Sequence, residues 1–303
     1  MSTTHTTRSP DAPTGAAPPA RRPAPPASAT DTAATPRHTG PPPSRRRRLA
    51  PGRRLPYARL AGPLLLLAAW ATASALGVLD PRVLSAPWTV LATARDLLAD
   101  GRLTEHLLVS LQRAGTGLAL GVAVGTVLAA LAGLSRVGES LIDGTMQVKR
   151  AIPALALLPL LILWWGVGEQ MKVLTIALGV MVHVYINTYA ALTGIDSRYV
   201  ELAEVLGLSR ARFVARVVVP GALPGFFVGL RLAVTASWLG LVVVEQVNAT
   251  SGIGYMMFQA QMYAQTDVIL VGLLLYGAFG FASDALVRLV ERRALAWRRT
   301  LAG

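Results

Sequence analysis

The residue types that most often do chemistry are few in this chain and poorly spaced for it. The 303 residues include four histidines and no cysteine. Without cysteine there is no disulfide, thiolate metal site or thiol nucleophile. His5 and His38 lie near the amino end in proline-rich sequence, while His106 and His183 stand in separate apolar stretches. HExxH, which sets two zinc ligands and a base on one helical face, is absent, and so is the GxSxG nucleophile elbow. Only two lysines occur, Lys149 and Lys172, and neither follows a glycine, so no P-loop can form. No metal site and no directly bound cofactor are expected. A process driven by ATP needs the nucleotide on another chain.

The informative polar residues are those set within apolar runs, because ionised groups in a bilayer are costly and usually carry a role. Arg113 comes early in the second run and Arg231 about two turns into the fifth, which Glu245 and Gln246 close; Asp284 comes late in the sixth. His183 and Asn187, four residues apart, share a helical face if their run is a helix. His183, Asn187, Arg231, Trp238 and Glu245 are the candidates for a pathway or gate. Plainer readings are interfacial exposure for Glu245, snorkelling or pairing with a carboxylate for Arg231, a hydrogen-bonded bundle position for His183, and an interfacial belt or packing for Trp238.

The elements that position these residues are membrane spans. Hydrophobic residues make up 53% of the chain and charged ones 15%, a membrane-like composition. Six stretches, roughly 60–79, 105–134, 151–166, 171–193, 221–247 and 267–290, are apolar enough to cross a bilayer as helices. The third is short and interrupted by Pro153 and Pro159. The second carries Gly117, Gly121, Gly125, Ala129 and Gly133 at steps of four, a stripe that lets helices approach closely. Residues 82–100 read as a weakly amphipathic helix near the outer interface.

The net charge of +13 is concentrated at the amino end. Residues 1–59 hold eleven arginines, two aspartates and 13 of the 20 prolines. Residues 1–56 lack apolar periodicity and read as a disordered tail, and its basic charge is not a nucleic-acid signal. Outside the tail, twelve Lys and Arg fall in segments on the tail's side of the membrane and four (Arg82, Arg95, Arg102 and Lys172) on the other. By the positive-inside rule, both termini face the cytoplasm, including the tail 296–303 and the loop 195–220.

That loop is the one long amphipathic interruption. In ELAEVLGLSRARFVARVVVP, Glu201 to Pro220, apolar residues recur at helical spacing on both sides of Gly207. Two short helices joined at Gly207 are expected, with Glu201 early in the first and Pro220 ending the second.

This segment resembles the cytoplasmic EAA loop of permease subunits in binding-protein-dependent ABC importers. The family pattern is Glu-Ala-Ala, three residues, Gly, nine residues, Ile, one residue, Leu-Pro. Glu201, Ala203, Gly207, Val217, Val219 and Pro220 fall on it; Leu202 departs from the first Ala, and Val stands for Ile and Leu. RAIPALALLPLLILWWGVGE (Arg150–Glu169), LPGFFVGLRLAVTASWLGLVVVEQV (Leu223–Val247) and SGIGYMM (Ser251–Met257) resemble permeases for alkanesulfonates, taurine and nitrate. Departures fall at His183 and at the Gln-Val-Asn after Glu245.

The resemblance, which covers about residues 60–295, implies an all-α polytopic membrane protein of the type I importer permease kind, with a transmembrane domain over 57–295 and its core at 105–290. It implies two permease subunits, an external binding protein that delivers solute, and ATPase subunits that carry ATP and Mg. Those ATPases would dock on Glu201, Ala203, Glu204, Gly207, Arg210, Arg212 and Pro220. The rival readings are an ion-coupled secondary transporter, which calls for a mid-membrane ionisable site and usually internal repeats, and a membrane scaffold or enzyme.

Overall fold

A computed structural model describes residues 58–297 apart from Asn248. The expected amino-terminal tail, and the carboxyl tail from residue 298, lie outside the described residues. The described residues contain helices and no strands. In chain order they are α1 (Ala58–Ala75), α2 (Pro87–Ala99), α3 (Arg102–Gly133), α4 (Arg136–Ala151), α5 (Ala154–Trp165), α6 (Glu169–Thr193), α7 (Ser197–Val205), α8 (Arg210–Gln246), α9 (Ile253–Met262) and α10 (Thr266–Ala294).

Four helices, α3, α6, α8 and α10, are long and apolar enough to cross a membrane. α4 and α5 supply a fifth span only as a pair bent by 90°. The expected third span, 151–166, is therefore not one straight helix. Ile152 takes an extended conformation ahead of Pro153, because proline disfavours α geometry in the residue before it. The apolar part of α1, Ala61–Ala75, is shorter than the other spans.

α6 is the centre of the bundle, between α3 and α8. The small-residue stripe of α3 runs along it: a β-carbon at Gly117 would lie 2.6 Å from Ile176 Cγ2, at Gly121 2.6 Å from the Ala177 carbonyl, at Gly125 2.7 Å from that of Met181, and at Gly133 2.9 Å from Leu192 Cβ. On the other side, Gly229 of α8 meets Asn187 and the His183 carbonyl in the same way. In a bilayer no hydrophobic effect drives helices together, so this close van der Waals contact does. Ala114, Ile176, Val180, Val184, Ala233, Leu241 and Val244 fill the seam.

A second core forms at the Glu245 end of α8. Val90 and Leu97 of α2 pack with Leu103, Ile253, Met256 and Val271. Thr93 donates to Asp267 at 2.6 Å, and the Ser85 and Thr266 hydroxyls lie 2.7 Å apart. The amphipathic segment expected at 82–100 is thus a shorter helix with its apolar face buried on α9 and α10.

Candidate functional site

The loop between α6 and α8 is a solvent-exposed helix held at both ends. Asp196 caps α7 by accepting from the Arg198 amide at 3.0 Å. At the other end, the Leu208 amide donates to the Ala203 carbonyl at 2.9 Å and the Gly207 amide to that of Glu204 at 3.0 Å. Those two bonds are a Schellman motif, with Gly207 as its left-handed residue at φ 62°. Glycine is required by this backbone angle and not by crowding, since a β-carbon at Gly207 would meet nothing within 4 Å. Ala203 is buried; Glu201, Glu204, Leu202, Val205 and Leu206 are exposed. Glu201 falls in the middle of α7, so the expected interaction with the helix start belongs to Asp196 instead.

One further expectation for this loop is corrected. Pro220 does not end a helix: α8 runs unbroken from Arg210 to Gln246. The turn ahead of the proline, Val214–Val218, is π-helical, with the Val219 amide bonded to the Val214 carbonyl. That wider turn accommodates a residue that has no amide hydrogen and crowds the carbonyl four residues back. Arg210 is exposed and also ties the loop to α3. Its Nη2 donates to the Leu134 carbonyl at 2.7 Å and so satisfies the carboxyl end of α3. Arg212 and Arg216 are exposed. Between α7, the start of α8 and the ends of α3 and α6 is a cavity of about 460 Å³, lined by Leu134, Leu192, Val200, Ala203, Glu204 and Phe213.

At the opposite end of α8, Glu245 is 1% exposed, which excludes interfacial exposure for it. Arg113, 3% exposed, bonds Glu245 Oε1 through Nη1 at 2.8 Å and clasps Glu169 through Nε and Nη2, both at 2.6 Å. Lys172 Nζ reaches Glu169 at 3.0 Å. Ser110 Oγ lies 2.8 Å from Glu245 Oε1 and accepts from the Ile253 amide, while Gly254 N and Tyr276 Oη donate to Oε2. The segment Ser251–Gly254 fits over this network only through its glycines. Gly252, at φ 118°, has no room for a β-carbon beside Glu245 and Arg113 Nη1, and one at Gly254 would lie 2.7 Å from Glu245 Cβ. Two cations and two carboxylates thus join α3, α6, α8, α9 and α10.

The remaining candidates separate. Arg231 pairs with Asp284 at 3.5 Å and with Glu291. Trp238 stacks on Phe279 and donates to Ser283 at 3.1 Å. His183 bonds the Gly179 carbonyl at 2.9 Å through Nδ1 and lines a cavity at the α4–α5 bend; Asn187 donates to the His183 carbonyl. That cavity also holds Lys149 and Arg150, which the charge count assigns to the cytoplasmic side. They line it with Thr175, Gly179 and His183 of α6 and with Ala236, Leu239 and Gly240 toward the Glu245 end of α8, next to the bend at Pro153.

Among the described residues no histidine, aspartate and glutamate gather into a metal-binding group. The assembled features are a bundle of helices long and apolar enough for a membrane, a capped and exposed short helix between two of them, and a buried ionic clasp. Residues 121–295 match the family described as binding-protein-dependent transport system inner membrane component, and the chain belongs to that family. The putative aliphatic sulfonates transport permease protein SsuC of Escherichia coli is 41% identical over 78% of this chain and 89% of its own length. The protein of that name from Bacillus subtilis is 39% identical over 80% and 87%, and the taurine transport system permease protein TauC of Escherichia coli 32% over 77% and 86%. A crystal structure of an amino acid ABC transporter with histidines shares the fold, with a TM-score of 0.50 and 18% identity over 62% of this chain and 92% of that one. The chain is thus a multi-pass permease component of an ABC importer.

Proposed function

We propose that two copies of this chain form the membrane pathway of an ATP-driven importer for small organic anions, alkanesulfonates and taurine first, with nitrate as a further candidate. Support for the substrate class comes from the sulfonate and taurine permeases among the relatives. An extracytoplasmic binding protein delivers the solute. ATP and Mg are bound by ATPase subunits on the cytoplasmic side, where both termini and α7 lie.

The observation that carries the reading is the geometry of α7. It exposes Glu201, Glu204, Leu202, Val205 and Leu206 together, a surface of carboxylates and apolar groups suited to a protein groove. The Schellman turn at Gly207 joins it to α8 with little slack, and Arg210 ties the start of α8 to the end of α3. ATPase closure displaces α7, and the displacement reaches both long helices. The spans then rock as rigid bodies between inward- and outward-open states.

The test is to co-express the chain with its ATPase and binding protein, and to measure ATPase co-purification and ATP-dependent uptake of labelled taurine and hexanesulfonate. Glu201→Ala and Gly207→Arg should each weaken co-purification and uptake. Wild-type values for both variants would remove the coupling assignment.

A further inference from the structure

The bend between α4 and α5 provides a polar site that the coupling surface does not use. Around it lies a cavity of about 220 Å³ whose walls are mostly apolar, with Ile152, Leu155, Ile176, Val182 and Leu239 among them. Lys149 and Arg150, in the last turn of α4, line the same cavity. Among the described residues neither has a carboxylate within 4 Å. Arg113, Lys172 and Arg231 are each held by glutamate, while Arg212, Arg216, Arg292 and Arg293, toward helix ends, are like Lys149 and Arg150 without a carboxylate.

His183 also lines the cavity but offers it only an acceptor. A carbonyl can only accept, so Nδ1 carries the proton that bonds Gly179 O, and Nε2 has no partner among the described residues. Thr175, also in the lining, already donates to the Met171 carbonyl at 2.8 Å. Cations in the last turn do favour the carboxyl end of a helix, by about 0.3–1 kcal/mol at an exposed site. That accounts for α4, but not for why half-buried Lys149, with exposed Arg150 beside it, borders a mostly apolar cavity against α6 and α8. An unpaired, partly buried cation in such surroundings calls for an anion.

We infer that this cavity is a transit site for an organic anion with a short aliphatic body. Lys149 and Arg150 hold the sulfonate oxygens, His183 lies beside them, and the apolar walls take the carbon chain. The inference rests on the reading of the chain as an anion importer.

It is tested on the whole complex of permease, ATPase and binding protein in phosphatidylcholine vesicles, with labelled taurine and hexanesulfonate as probes. Lys149→Gln and Arg150→Gln should each reduce uptake at limiting solute by about tenfold, the loss of one charge-assisted contact. ATPase co-purification should stay at the wild-type level, and Lys149→Arg should restore uptake. Wild-type uptake by both Gln variants overturns the site while leaving the importer reading intact. Uptake of neither anion by the wild-type complex overturns both. If the Gln variants fall short only when phosphatidylglycerol is added, the cations hold a lipid phosphate, and the solute site is overturned.

Discussion

Replacing Arg113 with methionine keeps the aliphatic stem and removes the charge that faces Glu245. The Glu245 side chain is fully buried, 2.8 Å from Arg113 Nη1. After the substitution its carboxylate keeps the Ser110, Gly254 and Tyr276 bonds but has no counter-charge. Removing one partner of such a pair costs about 3–5 kcal/mol, because a buried charge is left uncompensated. The Glu169 side adds little, since that side chain is 59% exposed and keeps Lys172. Glu245→Gln retains the shape and leaves Arg113 clasped by Glu169, so it should cost about 1–3 kcal/mol. With both changes the orphaned charge is gone, and the double variant should fall short of the sum by about 2 kcal/mol. Unfolding of the purified chain in mixed detergent micelles, titrated with dodecyl sulfate, reads these differences. An Arg113→Met cost below about 1 kcal/mol, or strict additivity in the double variant, would refute the clasp as the tie among the five helices.

Three other outcomes follow from the same geometry. Gly252→Ala should destabilise far more than Gly207→Ala, for which about 1 kcal/mol of backbone strain is expected, because only Gly252 has a β-carbon position occupied by Glu245 and Arg113; the micelle titration ranks the two. Gly121→Leu should separate α3 from α6, since even a β-carbon there lies 2.6 Å from Val180 and from the Ala177 carbonyl; a cysteine pair across the seam should then cross-link more slowly. Arg210→Gln should weaken the cap on α3 by about 1 kcal/mol and reduce uptake, since it removes the bond from Nη2 to the Leu134 carbonyl; uptake in vesicles and the micelle titration read the two effects.

The spans were legible because a bilayer demands long apolar helices, and the α3 stripe because a four-residue repeat of small residues has one use there. The helical outline of the loop 195–220 and its joint at Gly207 were legible through spacing, although Pro220 sits within a helix behind a π turn. Spacing cannot reveal a π turn, because the sequence Val214–Val218 suits an ordinary one equally well. The role of Glu245 was left open between a contact and exposure because its partners are far away in the chain. Arg113 is 132 residues distant and Ser110 135, and no local pattern links them. The 90° bend between α4 and α5 was not legible beyond its two prolines, because a run of apolar residues reads the same whether straight or bent.

The interlock between α3 and α6 limits where the protein can change shape. Two helices meshed over Gly117, Gly121, Gly125 and Gly133 cannot slide or twist past one another without prising backbone from side chain along about five turns. They form a single beam. Any alternation of access must then be articulated elsewhere, and three joints stand out among those of the described chain: the 90° bend at Ile152–Pro153, the left-handed Gly207 and Gly252 at φ 118°. Each of these three borders a polar feature, namely the cation-lined cavity, the exposed helix α7 and the ionic clasp. In mechanical terms, the beam carries the load and the chemistry is stationed at the hinges.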